Sequence, residues 1–204
     1  LNSLFLTIYI VCFIKMQIKK VGAKSVKDSK GEKTILVWIK TNKGRFKTSS
    51  PSGKSTGKHE VKQYNRSLIK DIEFINNIDV DRINRINIKK FEDLIKIERD
   101  VGKKLGGNSL FAFEASLLKG LAKENAKELW EFLSDGKIKK LKIRSIGNAV
   151  GGGLHAKGIK GIKPDFQEFL FISKGRNFEE NVKLNEIAYI EAHKYLKSWK
   201  RDYE

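Results

Sequence analysis

The sequence predicts an α+β protein in two parts, a three-stranded antiparallel meander followed by helices and then a second unit of short strands and a long helix. Three observations carry this reading. Two turn signals, DSKGE at 28–32 and Asn42-Lys43-Gly44, punctuate a run rich in β-branched residues. Beyond residue 60 the apolar period changes from two to helical spacing, and after Gly136 it changes again, to short apolar runs around a Gly- and Lys-rich connection.

In order, Gln17 to Lys27, Thr34 to Thr41 and Arg45 to Ser50 read as the three strands. From Glu60 to Val101, Phe91, Leu94, Ile95 and Ile97 recur among charged neighbours as one helical stripe, ending at Gly102 and the Gly106-Gly107 pair. Asn108 or Ser109 is expected to cap the next helix, with Leu110, Phe113, Leu117, Leu118 and Leu121 on its buried side. Lys127 to Leu133 reads as a further amphipathic piece, with Trp130 in the core. Ile143 to Val150 and Phe166 to Ile172 read as short buried strands, and Phe178 to Trp199 as a long helix with Leu184, Ile187, Ala188, Ala192 and Leu196 on one face. The expected boundaries are 1–15 for an apolar leading segment, 16–138 for the first domain and 139–204 for the second.

Composition narrows the function classes. The lone cysteine, Cys12, excludes an internal disulfide, and the histidines His59, His155 and His193 lack metal-ligand spacing, so a cytoplasmic setting is the expectation. A net charge of +18 invites an anionic partner. Most of the 42 basic residues are lysines scattered among Ile and Asn, however, so a solvated lysine surface is preferred to a dedicated nucleic-acid face. Leu4 to Ile14 is apolar but too short to cross a membrane as a helix, and residues 1–15 read as translation upstream of Met16 in preference to a membrane anchor.

Two phosphate motifs fail on inspection. Gly53-Lys54-Ser55 would end a nucleotide-binding phosphate loop, but Thr48 stands where the first glycine belongs and Pro51 contributes no N–H to the cradle. Gly151-Gly152-Gly153-Leu154-His155-Ala156 fits a relaxed dinucleotide pattern, yet the AKGIKGIKP that follows cannot start the helix whose N-terminus would bind a pyrophosphate.

Four ordered segments carry a resemblance. AKSVKDSKGEKT from Ala23, PSGKSTGKHE from Pro51, KKLGGNSLFAFEAS from Lys103, and GNAVGGGLHA followed by DFQEFLFI from Gly147 to Ile172 together resemble the enolases, the phosphopyruvate hydratases of glycolysis. The resemblance implies an α+β capping domain in front of an enolase-type α/β (TIM-like) barrel, of which only the first elements are present. It implies a magnesium-dependent lyase acting on 2-phosphoglycerate and phosphoenolpyruvate, with two Mg²⁺ ions per complete site. Ser55 then corresponds to the lid serine that ligates the second Mg²⁺ and meets the substrate. Its lid neighbours are Ser52, Gly53, Lys54, Thr56 and Gly57. His155 and Gln167 correspond to substrate contacts, and Glu168 to a catalytic carboxylate near the leaving hydroxyl, the Gln-Glu pair standing at the end of a barrel strand.

The departures from the family pattern are equally specific. Lys54 replaces the usual alanine, Lys24 and Lys30 replace arginines that serve subunit contacts, and the His155 to Glu168 spacing is about four residues longer. A barrel takes about 250 residues, and only about sixty follow Lys142. The acidic trio for the main metal ligands and the lysine base have no counterpart here. The expectation is therefore a fragment or one half of a split enzyme, inactive alone, completed by a complementary barrel chain and homo-oligomeric when complete. The rival reading is a non-catalytic enolase-like remnant whose basic surface binds RNA or another polyanion.

Overall fold

The computed structural model describes residues 15–51, 57–138, 143–153 and 165–198. The chain divides into two compact units between Ile138 and Lys139.

The first unit opens with the meander: β1 (Ile18–Lys27), β2 (Lys33–Thr41) and β3 (Gly44–Ser49), antiparallel in the order β1-β2-β3. Local chemistry makes both turns. The Asp28 carboxylate accepts from the Lys30 and Glu32 N–H groups at 2.9 Å, and Gly31 takes φ +81°, which a β-carbon would strain. Gly44 does the same at the second turn with φ +135°. Alternation along β2 turns Ile35, Val37 and Ile39 inward, each fully buried.

Helices cover that inward face: α1 (Leu68–Asn76), α2 (Val80–Arg85), a short 3₁₀ turn running into α3 (Leu94–Val101), α4 (Gly107–Glu124) and α5 (Leu129–Ser134). α4 packs on β2 and β3, and α1 on β1. Phe113, Leu117 and Leu121 of α4 meet the strand residues, each worth roughly 2 kcal/mol in apolar burial. Ser116 donates to the Val37 carbonyl (3.2 Å), and Lys119 reaches the Lys47 carbonyl (2.8 Å).

Three expectations change here. Neither Asn108 nor Ser109 caps α4: the Gly107 and Asn108 N–H groups donate instead to the Lys62 and Gln63 carbonyls (2.8 and 3.0 Å), and Ser109 is fully buried inside the helix. In the stripe from 91 to 97, only Leu94 and Ile97 enter the core. Phe91 and Ile95 are exposed: Phe91 stands in the 3₁₀ turn ahead of α3, and Ile95, two positions from the buried Ile97, falls on the opposite face of that helix. Trp130 is half-buried, and its neighbours Leu129 and Phe132 make the core contact.

The second unit consists, among the described residues, of β4 (Ile146–Gly151), β5 (Glu168–Ile172) and α6 (Phe178–Ser198). β4 and β5 form an antiparallel pair from Ile146↔Ile172 to Gly151↔Glu168, unlike the parallel neighbours of a regular (β/α)₈ barrel. The strands were expected to be buried, but Ile146, Phe169, Leu170 and Ile172 are all exposed, since α6 packs on this two-stranded sheet yet leaves these side chains uncovered among the described residues. The predicted apolar stripe of α6 is also exposed at Leu184 and Ile187. The helix buries Asn181 and Asn185 instead. Asn181 Oδ1 accepts from the Gly175 N–H (2.8 Å) and Ser173 hydroxyl (3.0 Å), while Asn185 Nδ2 donates to the Ser145 carbonyl (3.1 Å). No helix among the described residues is long and apolar enough to cross a membrane.

Candidate active site

The segment resembling a lid leaves β3 through a fixed hinge. The Ser50 N–H donates to the Ile35 carbonyl (3.0 Å), Thr34 Oγ1 donates to the Ser50 carbonyl (2.9 Å), and the Tyr64 hydroxyl lies 3.4 Å from Thr34 Oγ1. Beside this hinge is a cleft of about 420 Å³, lined by Lys27, Lys30, Thr34, Ser49, Ser50 and Pro51. The lid residues Ser52, Gly53, Lys54, Ser55 and Thr56 lie outside the described residues.

The chain re-enters at Gly57, whose N–H donates to the Glu60 carboxylate (2.8 Å) while the Glu60 N–H returns to the Gly57 carbonyl (3.1 Å). Residues 62–65 are then clamped to the start of α4. Besides the two backbone bonds to Gly107 and Asn108, the buried Asp71 carboxylate accepts from the Gly106 N–H (2.9 Å) and from the Asn65 N–H (3.3 Å). Gly106 is needed because its missing β-carbon is where the Gln63–Tyr64 backbone runs. Both ends of the segment that resembles a lid thus join hydrogen-bonded backbone.

Sequence reasoning missed Asp71. It reads there as an ordinary acidic residue in the first turn of α1, and its partners lie 6 and 35 residues away.

In the second unit, Gln167 and Glu168 stand at the beginning of β5. The sequence expectation had the pair at the end of a strand. The antiparallel register reconciles the two, because the start of β5 lies beside the end of β4: Gly151 pairs with Glu168, and the Gly152 N–H donates to the Gln167 carbonyl at 2.7 Å. Gly153 follows with φ +54°, where an added β-carbon would lie 3.6 Å from the Gln167 α-carbon. One rim therefore holds the Gln-Glu pair and the exit of the Gly-rich loop. His155, the next predicted residue on that loop, lies outside the described residues.

No group of three His, Cys, Asp or Glu side chains that could hold a metal ion occurs among the described residues. This part of the chain does not by itself fit the two Mg²⁺ ions that the resemblance implies.

Residues 18–133 match the family "Enolase, N-terminal domain". The chain is also 31% identical over 191 residues to Enolase 1 of Entamoeba histolytica, covering 85% of this chain and 43% of that protein. It is 30% identical to the Enolase of Thermoplasma acidophilum (86% and 44%) and 29% identical to the Enolase of Saccharolobus solfataricus (90% and 44%). The chain spans less than half the length of these relatives. With more than half of its residues matched by the family, this chain belongs to the enolases, within which it corresponds to the N-terminal domain and the stretch that follows.

Proposed function

We propose that this chain is the N-terminal part of an enolase-type carbon–oxygen lyase of glycolysis and gluconeogenesis, which interconverts 2-phosphoglycerate and phosphoenolpyruvate once the remainder of the barrel is joined to it or assembled with it. The observation that carries the reading is the Gly151↔Glu168 register, which gathers Gln167, Glu168 and the start of the His155 loop on one rim. In this reading Gln167 and His155 hold the substrate, and Glu168 hydrogen-bonds the departing hydroxyl, assisting its protonation by an acid in the remainder of the barrel so that it leaves as water. The Ser52–Thr56 segment closes over the bound substrate on its two anchored ends, excluding bulk water, with Ser55 reaching the second Mg²⁺. The other metal ligands and the base that removes the α-proton belong to the remainder of the barrel. The setting is the cytoplasm, and the completed enzyme is a homo-oligomer.

The test is to assay the purified 204-residue chain alone and after co-expression with a polypeptide carrying the remaining barrel, following phosphoenolpyruvate by its ultraviolet absorbance. Turnover only in the co-expressed complex is expected. Turnover by the chain alone would overturn its proposed dependence on the barrel, and an inactive complex that has formed and binds substrate would overturn the assigned roles.

A further inference from the structure

The sequence reads as a strand from Phe166 onward, yet β5 begins at Glu168 and residues 165–167 form a bend. Two rings close that bend. Side chains three positions apart in a regular strand lie on opposite faces, with α-carbons about 10 Å apart. The Phe166 and Phe169 rings nevertheless meet at a centroid distance of 4.3 Å, tilted by 57°. They touch only because the chain turns between them, and the two residues they bracket are Gln167 and Glu168.

A second set of contacts pins the same point from the end of β4. The Gly152 N–H donates to the Gln167 carbonyl at 2.7 Å. Gly153 runs so close that a β-carbon on it would lie 3.6 Å from both the Phe166 carbonyl oxygen and the Gln167 α-carbon. The Gln167 backbone is thus held by the glycine pair and by the aromatic pair at once. One hydrogen bond fixes a position and leaves a rotation open, and the ring contact closes it. Phe166 and Phe169 remain 39% and 55% exposed, so no surrounding core holds the turn in their place. A tilted ring pair at this spacing is attractive beyond the area it buries.

We propose that Phe166 is a positioning residue for Gln167: its ring, closed on Phe169, fixes the turn from which Gln167 reaches the substrate. The inference rests on the reading of Gln167 as a substrate contact. Phe166 itself touches no substrate in it, and acts by holding a hydrogen-bonding side chain within the roughly 0.5 Å that a productive contact tolerates.

The test has two arms. In the 204-residue chain, Phe166→Ala should speed hydrogen exchange at the Gly152 amide about tenfold by NMR. The Gly175 amide, held by Asn181 Oδ1 elsewhere in the same unit, should be unchanged. Phe166→Tyr keeps the ring and should match the parent, and Phe166→Leu, which keeps apolar bulk without the ring, should repeat the alanine result at smaller size. In the complex with the remaining barrel, Phe166→Ala should raise KM for 2-phosphoglycerate about fivefold with kcat little changed, and should add nothing in a Gln167→Leu background. Unchanged exchange at Gly152, equal acceleration at Gly175 in both the alanine and leucine variants, or the same KM rise in the Gln167→Leu background would each overturn the proposal. So would an unchanged KM in Phe166→Ala where Gln167→Leu raises it. Gln167→Leu without effect, or a complex that forms without turnover, would instead mark failure of the underlying reading, and the inference falls with it.

Discussion

A β-carbon on Gly106 would lie 2.2 Å from the Tyr64 α-carbon and 2.4 Å from the Gln63 carbonyl oxygen. Both obstacles are backbone, so no side-chain rotation relieves them. Gly106→Ala is expected to destabilise the first unit by about 3 kcal/mol. Its neighbour is the control: a β-carbon on Gly107 is crowded by the Val61 methyl (2.7 Å), meets the Lys62 carbonyl oxygen at an ordinary contact distance (3.7 Å), and Val61 is exposed enough to swing away. Gly107→Ala should cost less than about 1 kcal/mol. Urea unfolding of both variants checks the contrast, and equal costs would show that the 62–65 stem is not clamped.

Asp71 supports the same clamp electrostatically. Asp71→Asn puts an amide NH₂ against one of two N–H donors in a site that is 1% exposed, and should cost roughly 2 kcal/mol. Faster hydrogen exchange at the Gly106 and Asn65 amides, measured by NMR, is the specific signature; a stability loss without it would assign Asp71 some other role.

Glu114 on α4 predicts a pH dependence. Burial, and then the nearby Glu98 charge, push its carboxyl up to about 7, and its Oε1 has no hydrogen-bond partner among the described residues. In the unfolded chain the same carboxyl releases its proton near 4.5, so between about 4.5 and 7 the folded state holds more protons and stability falls as pH rises. Above about 7 the loss is complete. Glu114 is partly exposed and screened by solvent, which leaves about 1 kcal/mol. Thermal melts of Glu114→Gln across this range should show a flatter profile and a higher midpoint at pH 8; an unchanged profile would remove Glu114 as the cause.

On the rim, Glu168→Gln in the reconstituted enzyme keeps the shape and removes the carboxylate. A fall in kcat of about 10²- to 10⁴-fold with little change in KM is the expected result. Gln167→Leu should act chiefly on KM. The reverse pattern in steady-state kinetics would exchange the two roles.

Much of the first unit was legible because its causes are local. An Asp at the start of a turn, a glycine at positive φ and apolar residues at every second position specify a strand, a turn and a strand whatever lies elsewhere. The stripe of α4 follows from residues within one helix. Where local signals misled, a distant partner had supplied what they assumed was missing: the Lys62 and Gln63 carbonyls took over the cap of α4, and Ser145 drew Asn185 inward where Leu184 and Ile187 had been expected.

Sequence alone therefore determined the meander, the helical region and the order of family segments, since each rests on side chains a few positions apart. Only the tertiary structure decided that Gly106 must yield its β-carbon to Tyr64, and that Gln167 and Glu168 share a rim with the glycine loop. It likewise decided that Lys20, Lys40 and Arg45 stand in one row. These are relations between residues far apart along the chain, fixed by strand register and backbone packing, which no short window of sequence encodes.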